Sequence, residues 1–129
     1  MAGPDPGSPG EARRVDKPWG HELIWAHTDQ YVGKTIVIEA GRRLSYQRHD
    51  VKDEWIRVVS GRLLLTLEDA AGVDRDLELG PGGDAHIQTG RRHRFTAIER
   101  CELIEVSTPE LDDVVRLADD FGREGTSAP

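Results

Sequence analysis

Residues 41–61 read GRRLSYQRHDVKDEWIRVVSG, and this stretch says most about the fold. Between its two terminal glycines lie two candidate β-strands, Leu44 to Arg48 and Glu54 to Ser60, separated by a polar run. Residues two apart on a strand share a face, so Gln47 and His49 should point the same way. The stretch therefore predicts two strands joined by a polar loop, with candidate ligand side chains beside that loop.

Short apolar runs continue along the rest of the chain, and Gly, Asp or Pro separates them about every 8 to 12 residues. The further predicted strands are Glu22 to Ala26, Lys34 to Ala40, Arg62 to Leu67, Arg75 to Leu79, Ala85 to Gln88, His93 to Ala97 and Glu102 to Ser107. Thr108-Pro109-Glu110 offers a helix cap with an early proline and acid, and the apolar residues after it have helical spacing. We therefore expect an all-β barrel or jelly roll with a short C-terminal helix.

Length and composition favour one domain. The chain has 129 residues, of which 36% are hydrophobic, 5% aromatic and 32% charged. Residues 1–14 are rich in Gly and Pro and have little to bury, which predicts a disordered leader, and residues 124–129 predict a disordered tail. We expect a single folded domain over residues 15–123.

The composition also disfavours several classes of protein. No run approaches the roughly 20 apolar residues that span a bilayer, and the N-terminus lacks a signal peptide's apolar core. We therefore expect a soluble cytoplasmic protein without a membrane partner. The net charge of -7 argues against nucleic-acid partners, which need clustered cations. The single cysteine, Cys101, excludes an internal disulfide and a cysteine-based zinc site, so any metal ligands are His, carboxylate or amide groups.

Several polar side chains are predicted on apolar strand faces. Glu54 opens a strand whose same face is otherwise apolar, and a buried carboxylate is costly unless it is paired, protonated or bound to a cation. His93 likewise shares its face with apolar residues. Together with Gln47 and His49, these side chains would suit one divalent ion such as Zn, Mn, Fe or Ni, with open positions for substrate. Residue chemistry alone leaves one alternative to a metal site, namely that these four side chains are ordinary polar residues near loops.

The spacing of these side chains resembles the two cupin motifs. The first motif is matched by Gly41, Gln47, His49, Glu54 and Gly61, separated by five, one, four and six residues. The second is matched by Gly82, Gln88, Gly90 and His93, separated by five, one and two residues. Gln47 replaces the first histidine of the family pattern, and Gln88 its proline. The resemblance implies a single cupin barrel, a double-stranded β-helix or jelly roll.

A narrower resemblance is to the cupin domain of type II mannose-6-phosphate isomerases. It rests on Lys17-Pro18-Trp19-Gly20 with Glu22, and on residues 44–49, 58–61, 103–106 and, most specifically, 112–123. The resemblance implies a metal site of Gln47, His49, Glu54 and His93. It also implies that the metal polarises the oxygens of an open-chain sugar while a proton moves between C1 and C2.

The chain departs from this family around the expected pocket. The family's His-rich run with an arginine before the glutamate is Asp50-Val51-Lys52-Asp53 in this chain, and its His-Trp pair is Trp55-Ile56. The family has a loop before an acidic pair, which is Asp112-Asp113 in this chain, and here that loop is shortened to residues 107–111. Because these changes spare the scaffold, the resemblance specifies the fold more closely than the substrate.

Three residues are candidates for substrate chemistry. His86 could transfer a proton near neutral pH, and a surface or strand histidine is the alternative. Lys52 stands where the family has arginine and could meet an anionic substrate, unless it is a solvated loop residue. Arg116 matches a family position, although it could merely balance nearby carboxylates.

These observations predict a metal-dependent cupin that acts on a small anionic metabolite, such as a sugar phosphate, by metal-assisted isomerisation or enolisation. Two alternatives stay open: a dioxygenase-type cupin enzyme and a non-catalytic cupin that binds a sugar or another small ligand. Tyr46 and Trp55 are expected on the outer faces of their strands, where a second subunit would cover them. We therefore expect a homodimer.

Overall fold

The computed structural model describes residues 10–125, which form two antiparallel β-sheets. The strands in chain order are β1 (Arg13–Lys17), β2 (Gly20–His27), β3 (Val32–Ile38), β4 (Tyr46–Arg48), β5 (Glu54–Ser60), β6 (Leu63–Glu68), β7 (Asp74–Leu79), β8 (Asp84–Ile87), β9 (His93–Ala97), β10 (Cys101–Ser107) and β11 (Val115–Ala118). One sheet has the order β1, β2, β3, β10, β5, β8, and the other β11, β4, β9, β6, β7. The predicted all-β class is confirmed.

The core lies between the two sheets because the strands alternate buried and exposed side chains. In β5, Ile56 and Val58 are buried, whereas Trp55 and Arg57 face outward. The core consists of Trp19, Ile36, Ile38, Ile56, Val58, Leu63, Leu65, Ile87, Phe95, Ala97, Cys101 and Leu103. Each sheet therefore presents one apolar face to the other, which is the arrangement of a jelly roll.

The expected C-terminal helix is wrong. Residues 108–114 form turns, and β11 follows as a strand that pairs with β4. Val114 and Arg116 are buried while Leu117 is exposed, so burial here follows the period of a strand. Pairing with β4 satisfies the backbone of this segment and overrides its local helical pattern.

The loop before β11 is held by the carboxylate of Asp113. Its oxygens accept hydrogen bonds from the backbone N–H groups of Asp50, Val51 and Lys52, at 3.1, 2.7 and 2.8 Å. Partial burial alone would raise the pKa of Asp113, but these three donors lower it below its usual value. One side chain thus fastens the C-terminal segment to the loop between β4 and β5.

The ends of the folded region differ in part from the expected boundaries. β1 begins at Arg13, within the predicted leader 1–14, and residues 1–9 of that leader lie outside the described residues. Of the predicted tail 124–129, residues 126–129 also lie outside them. Within residues 10–125, no helix is long and apolar enough to cross a membrane.

Two glycines with the same backbone conformation occupy different environments. Gly61, between β5 and β6, and Gly72, between β6 and β7, both have a φ of 81°. A Cβ atom on Gly61 would lie 2.0 Å from the Arg100 carbonyl oxygen, whereas a Cβ on Gly72 would meet no heavy atom within 4 Å. The turn at Gly61 therefore has a steric requirement that Gly72 lacks.

We expect Gly61→Ala to destabilise the fold more than Gly72→Ala. The left-handed conformation alone costs Gly72→Ala about 1 kcal/mol. Overpacking against the Arg100 carbonyl adds about 1 to 3 kcal/mol for Gly61→Ala. Urea unfolding of the two variants measures the difference, and equal losses of stability would contradict the steric argument.

We expect Asp113→Ala to lower the free energy of unfolding by about 2 kcal/mol, because three backbone donors lose their charged acceptor. The matched control is Asp112→Ala, since Asp112 is exposed next to it, and its effect should stay within about 0.5 kcal/mol. Thermal or urea unfolding provides the measurement. Equal stability of the two variants would show that Asp113 does not fasten the loop.

Candidate metal centre

Three of the four predicted metal ligands meet between the sheets. His49 follows β4, Glu54 opens β5 and His93 opens β9, and all three side chains are buried. Their ligand atoms lie within 4.8 Å of one another. Glu54 Oε2 is 3.7 Å from His49 Nε2, and Glu54 Oε1 is 3.5 Å from His93 Nε2. The three side chains form a cluster that could hold a metal ion.

Backbone carbonyls orient both imidazoles. His49 Nδ1 donates to the Asp113 carbonyl at 2.5 Å, and His93 Nδ1 donates to the Arg91 carbonyl at 2.9 Å. With the proton on Nδ1, each Nε2 is left as a lone-pair acceptor that faces Glu54. Neither Nε2 has a hydrogen-bond partner among the described residues. Metal-ligating histidines are held in this way in proteins.

The charge states of the cluster suit a cation. Burial lowers the pKa of His93 to about 4, so its imidazole is neutral at pH 7. Burial would raise the pKa of Glu54, but the Lys52 ammonium holds it well below its usual value. The cluster therefore offers two neutral nitrogen donors and one carboxylate.

The spacing of the donors also fits. Atoms that share a metal ion at about 2.1 Å lie about 3.0 to 3.4 Å apart. The two Glu54 separations, 3.5 and 3.7 Å, exceed that range by a few tenths of an ångström. Both Nε2 atoms lack a hydrogen-bond partner among the described residues, and the donor separations are close to those around a bound ion. The three side chains therefore fit a divalent metal ion.

Gln47, the fourth predicted ligand, lines a cavity beside the cluster. It pairs with His93 across β4 and β9, and its Oε1 accepts a hydrogen bond from the Ser45 hydroxyl at 2.6 Å. The amide is therefore beside the cluster, in contact with a hydroxyl group of its own strand segment.

Lys52 is buried beside the cluster and connects it to a second carboxylate. Its Nζ lies 3.0 Å from Glu54 Oε2 and 2.9 Å from Glu105 Oε2. Burial would lower the pKa of Lys52, but Glu105 and Glu54 raise it above its usual value, so the side chain stays a cation. Burial, together with repulsion from Glu54, raises the pKa of Glu105.

The alternation of charge continues along the inner face of the six-stranded sheet, which we call the large sheet. Lys34 Nζ lies 3.7 Å from Glu105 Oε2 and also forms a close ion pair with Glu22. Lys17 Nζ lies 3.6 Å from the other oxygen of Glu22. A buried row of alternating charge thus crosses the sheet, and we call it the ion ladder. Its members, in order, are Glu54, Lys52, Glu105, Lys34, Glu22 and Lys17.

The ion ladder forms one wall of a cavity of about 60 Å³. Trp19, Ile36 and Phe95 are among its apolar lining residues. The charged lining residues are the cations Lys17, Lys34, Lys52, Arg116 and Arg123 and the anions Glu22, Glu54 and Glu105. Because cations outnumber carboxylates in its walls, the cavity suits an anionic or polar ligand.

Four charged groups of this site were not predicted from the sequence: Lys17, Lys34, Glu22 and Glu105. The signal that pointed to Glu54, a charge on an otherwise apolar strand face, was present elsewhere. Lys34 stands between Val32 and Ile36 on the inner face of β3, and all three are buried. A search of every strand for a charged residue on an otherwise apolar face would have identified Lys34 on β3 and Glu105 on β10.

The three predicted substrate residues fall in different places. Lys52 and Arg116 line the cavity, and both are buried. His86 lies on the outer face of β8, where it stacks on Trp55 at 4.7 Å between ring centroids and contacts Asp53 Oδ1 at 2.8 Å. The structure therefore does not bring His86 to the cluster. Its outward direction follows from the alternation along β8, in which Ile87 is buried and His86 takes the opposite face.

Known proteins resemble this chain over most of its length. The family model for the C-terminal region of mannose-6-phosphate isomerase matches residues 9–119. A mannose-1-phosphate guanylyltransferase of Escherichia coli is 35% identical over 117 residues, covering 86% of this chain and 23% of that protein. The xanthan biosynthesis protein XanB of Xanthomonas campestris is 34% identical over 116 residues, covering 86% and 24%. The chain spans about a quarter of the length of these relatives.

Solved structures share the fold at lower identity. KdgF from a Halomonas species superposes with a TM-score of 0.67 at 22% identity, covering 75% of this chain and 87% of that one. Oxalate decarboxylase of Bacillus subtilis gives a TM-score of 0.74 at 16% identity, covering 82% and 30%. These likenesses show the cupin jelly roll. With the family match over residues 9–119, they show that the chain belongs to the mannose-6-phosphate isomerase C-terminal family of cupin domains.

Proposed function

We propose that this chain binds one divalent metal ion and isomerises a small phosphorylated sugar. The observation that carries the proposal is the buried cluster of His49, Glu54 and His93, of which His49 and Glu54 line a cavity with an excess of cationic side chains. The relatives named for mannose-1-phosphate guanylyltransferase support a sugar phosphate as the ligand class.

His49, Glu54 and His93, with Gln47 beside them, would hold the metal ion. When bound, such an ion supplies Lewis acidity toward the carbonyl and hydroxyl oxygens of an open-chain sugar. The protein's own contribution is to fix both imidazoles through their Nδ1 bonds to the Asp113 and Arg91 carbonyls. Fixed donors need little reorganisation when a ligand binds.

Isomerisation between adjacent carbons requires a group that takes up a proton and returns it. Glu105 is suited to this role because its carboxylate lines the cavity and burial raises its pKa, which makes the carboxylate more basic. Lys52 remains an ammonium group beside Glu105 and can donate a hydrogen bond to an oxygen that gains negative charge. We therefore assign Glu105 as the proton acceptor and Lys52 as the donor to oxygen.

The anionic end of the substrate is assigned to the side of the cavity that carries Lys17, Arg116 and Arg123. Sites for larger ligands are about 300 to 1,000 Å³, so the cavity of about 60 Å³ encloses only the reacting end. Val15, Leu111 and Arg123 are partly exposed lining residues and mark the opening. A phosphate at this opening would meet the Lys17 ammonium and the Arg116 guanidinium, beside Arg123, which is held in place by its ion pair with Asp119.

We expect chelator-treated protein to gain thermal stability when Mn, Zn, Fe or Ni is added. A ligand present at about 100 times its dissociation constant stabilises the folded state by about 2.7 kcal/mol. His93→Ala should abolish the gain and reduce the metal content, since it removes one buried nitrogen donor. Calorimetry and elemental analysis measure the two effects.

His86→Ala is the matched control, because this histidine lies on the outer face and should retain both the metal and the thermal shift. Unchanged metal content in His93→Ala, with the fold intact by circular dichroism, would contradict the assignment of the cluster as the metal site.

We expect the metal-loaded protein to interconvert aldose and ketose phosphates, with mannose 6-phosphate as the first substrate to test. Glu105→Gln should lower kcat by about 100-fold or more, because the proton acceptor is lost. Glu102→Gln is the control, since Glu102 lies on the opposite face of the same strand. A coupled assay of the ketose phosphate measures the rate.

Binding of sugar phosphates without turnover would support the non-catalytic alternative and reject the isomerase. If Glu105→Gln and Glu102→Gln had equal activity, the isomerase could stand but the role of Glu105 would be wrong.

A further inference from the structure

The last part of the described chain forms one side of the cavity mouth. Residues 114–125, which we call the strap, comprise Val114, strand β11 and the turns that follow it. Three of its side chains, those of Val114, Arg116 and Arg123, line the cavity. The strap is therefore part of the wall between the solvent and the candidate metal centre.

The side chains to which we assign the reaction are enclosed. Lys52, Glu54 and Glu105 are 5%, 2% and 2% exposed, and the cavity beside them has a volume of about 60 Å³. Sites that enclose a small-molecule ligand usually measure about 300 to 1,000 Å³. The carbons of a sugar can therefore reach these side chains only if a wall of the cavity moves.

The opposite side of the mouth is anchored more firmly than the strap. Val15 and Lys17 lie on β1, which pairs with β2 at five consecutive positions, and Trp19 directly after β1 belongs to the hydrophobic core. β11 pairs with β4 at three positions, with an irregularity in its register. Among the described residues, the core cluster includes none from the strap. Movement of the strap therefore leaves the core intact.

The strap is folded on itself, so it can move as one piece. The Gly125 N–H donates to the Arg116 carbonyl at 3.0 Å. The Arg123 guanidinium donates to both carboxylate oxygens of Asp119, at 2.9 and 3.0 Å, and the Arg123 backbone N–H donates to the same carboxylate at 2.7 Å. These bonds lie within the strap and need not break when it moves away from the cavity.

Polar contacts hold the far end of the strap to the rest of the fold. The Arg43 guanidinium donates to both carboxylate oxygens of Asp120, at 2.7 and 2.8 Å, and the two side chains are 42% and 43% exposed. We call this ion pair the latch. Arg94 Nη2 also donates to the Ala118 carbonyl at 3.1 Å. Because water competes for exposed charges, such an ion pair is weak and can break while both sheets stay folded.

We propose that the strap acts as a lid over the candidate metal centre, which opens to admit a ligand and closes when the anionic end of the ligand is bound. Its pivot is Asp113, whose carboxylate fastens the chain to the loop between β4 and β5. An anion that contacts Arg116 or Arg123 on the strap and Lys17 on β1 joins the two sides of the mouth. The closing role of the anion rests on the proposed function.

Hydrogen-deuterium exchange of the full chain tests the opening without a ligand. The amides of residues 115–118 should exchange about 10-fold faster or more than those of β10, an inner strand of the large sheet, because the strap opens without global unfolding. Asp120→Ala removes the latch and should speed exchange of the strap by about 2- to 5-fold. Glu78→Ala is the matched control and should leave it unchanged, since Glu78 forms an exposed ion pair with Arg62 at the opposite edge of the same sheet.

Inorganic phosphate, added to the metal-loaded protein, tests the closing. At about 10 times its dissociation constant, measured by calorimetry, phosphate should slow the exchange of residues 115–118 by about 10-fold, the factor expected for a ligand that binds only the closed form. Chloride at the same ionic strength is the control and should have no such effect. Unchanged exchange of β10 in Asp120→Ala and Glu78→Ala establishes that both variants are folded.

Two results would overturn the strap as a lid: exchange of its amides at the rate of β10 in the wild-type chain, or equal rates in Asp120→Ala and Glu78→Ala. Phosphate that binds without slowing the exchange of the strap would overturn its closing role. Failure of phosphate to bind would instead count against the anion site of the proposed function, and exchange of the ligand-free protein would still decide whether the strap opens.

Discussion

The structure is organised around the burial of one carboxylate. Glu54 is 2% exposed at the start of β5, and removing such a charge from water costs several kcal/mol unless opposite charge surrounds it. Lys52 supplies that charge directly, and the two imidazoles face the same carboxylate. The positions of Lys52 and His49 depend in turn on Asp113: its carboxylate accepts a hydrogen bond from the Lys52 backbone N–H, and its carbonyl accepts one from His49 Nδ1. The C-terminal segment is thus a structural part of the candidate metal centre.

The ion ladder extends this principle across the large sheet. Each buried cation of the ladder has a carboxylate neighbour, so the inner face of β1, β2, β3 and β10 tolerates charges that would be costly alone. Opposite it, residues such as Phe95 keep the cavity partly apolar. A cavity with one charged wall and one apolar wall can orient a ligand that has polar groups on one side.

β5 contributes to both faces of the large sheet. Glu54 points into the cavity, and the next residue, Trp55, points to the outer face, because successive residues of a strand face opposite sides. The large sheet therefore has a charged inner face that lines the cavity and an outer face with exposed aromatic side chains. Since both faces share the β5 backbone, any movement of this strand reaches both of them.

The sequence by itself determined the all-β class, most of the strands and the ligand residues near the first motif. Gln47, His49 and Glu54 lie within one strand-loop-strand unit, so their spacing alone constrains how close they can be. His93 is distant in sequence, and the spacing of a second motif was needed to include it. These inferences succeed because strand periodicity and short loops are local properties.

Only the tertiary structure decided the features that depend on strand pairing. The segment after Asp113 has helical spacing, yet it becomes β11 because β4 offers it a hydrogen-bonding edge. His86 faces outward, and the register of β8 against β5 places it beside Trp55 instead of beside the candidate metal ligands. Lys34 and Glu105 are stable in the interior only because β3 and β10 are neighbours, which brings the opposite charges together. The pattern of a single strand indicates which side chains face inward, but the choice of neighbouring strands joins residues far apart in the chain and is decided only in the folded structure.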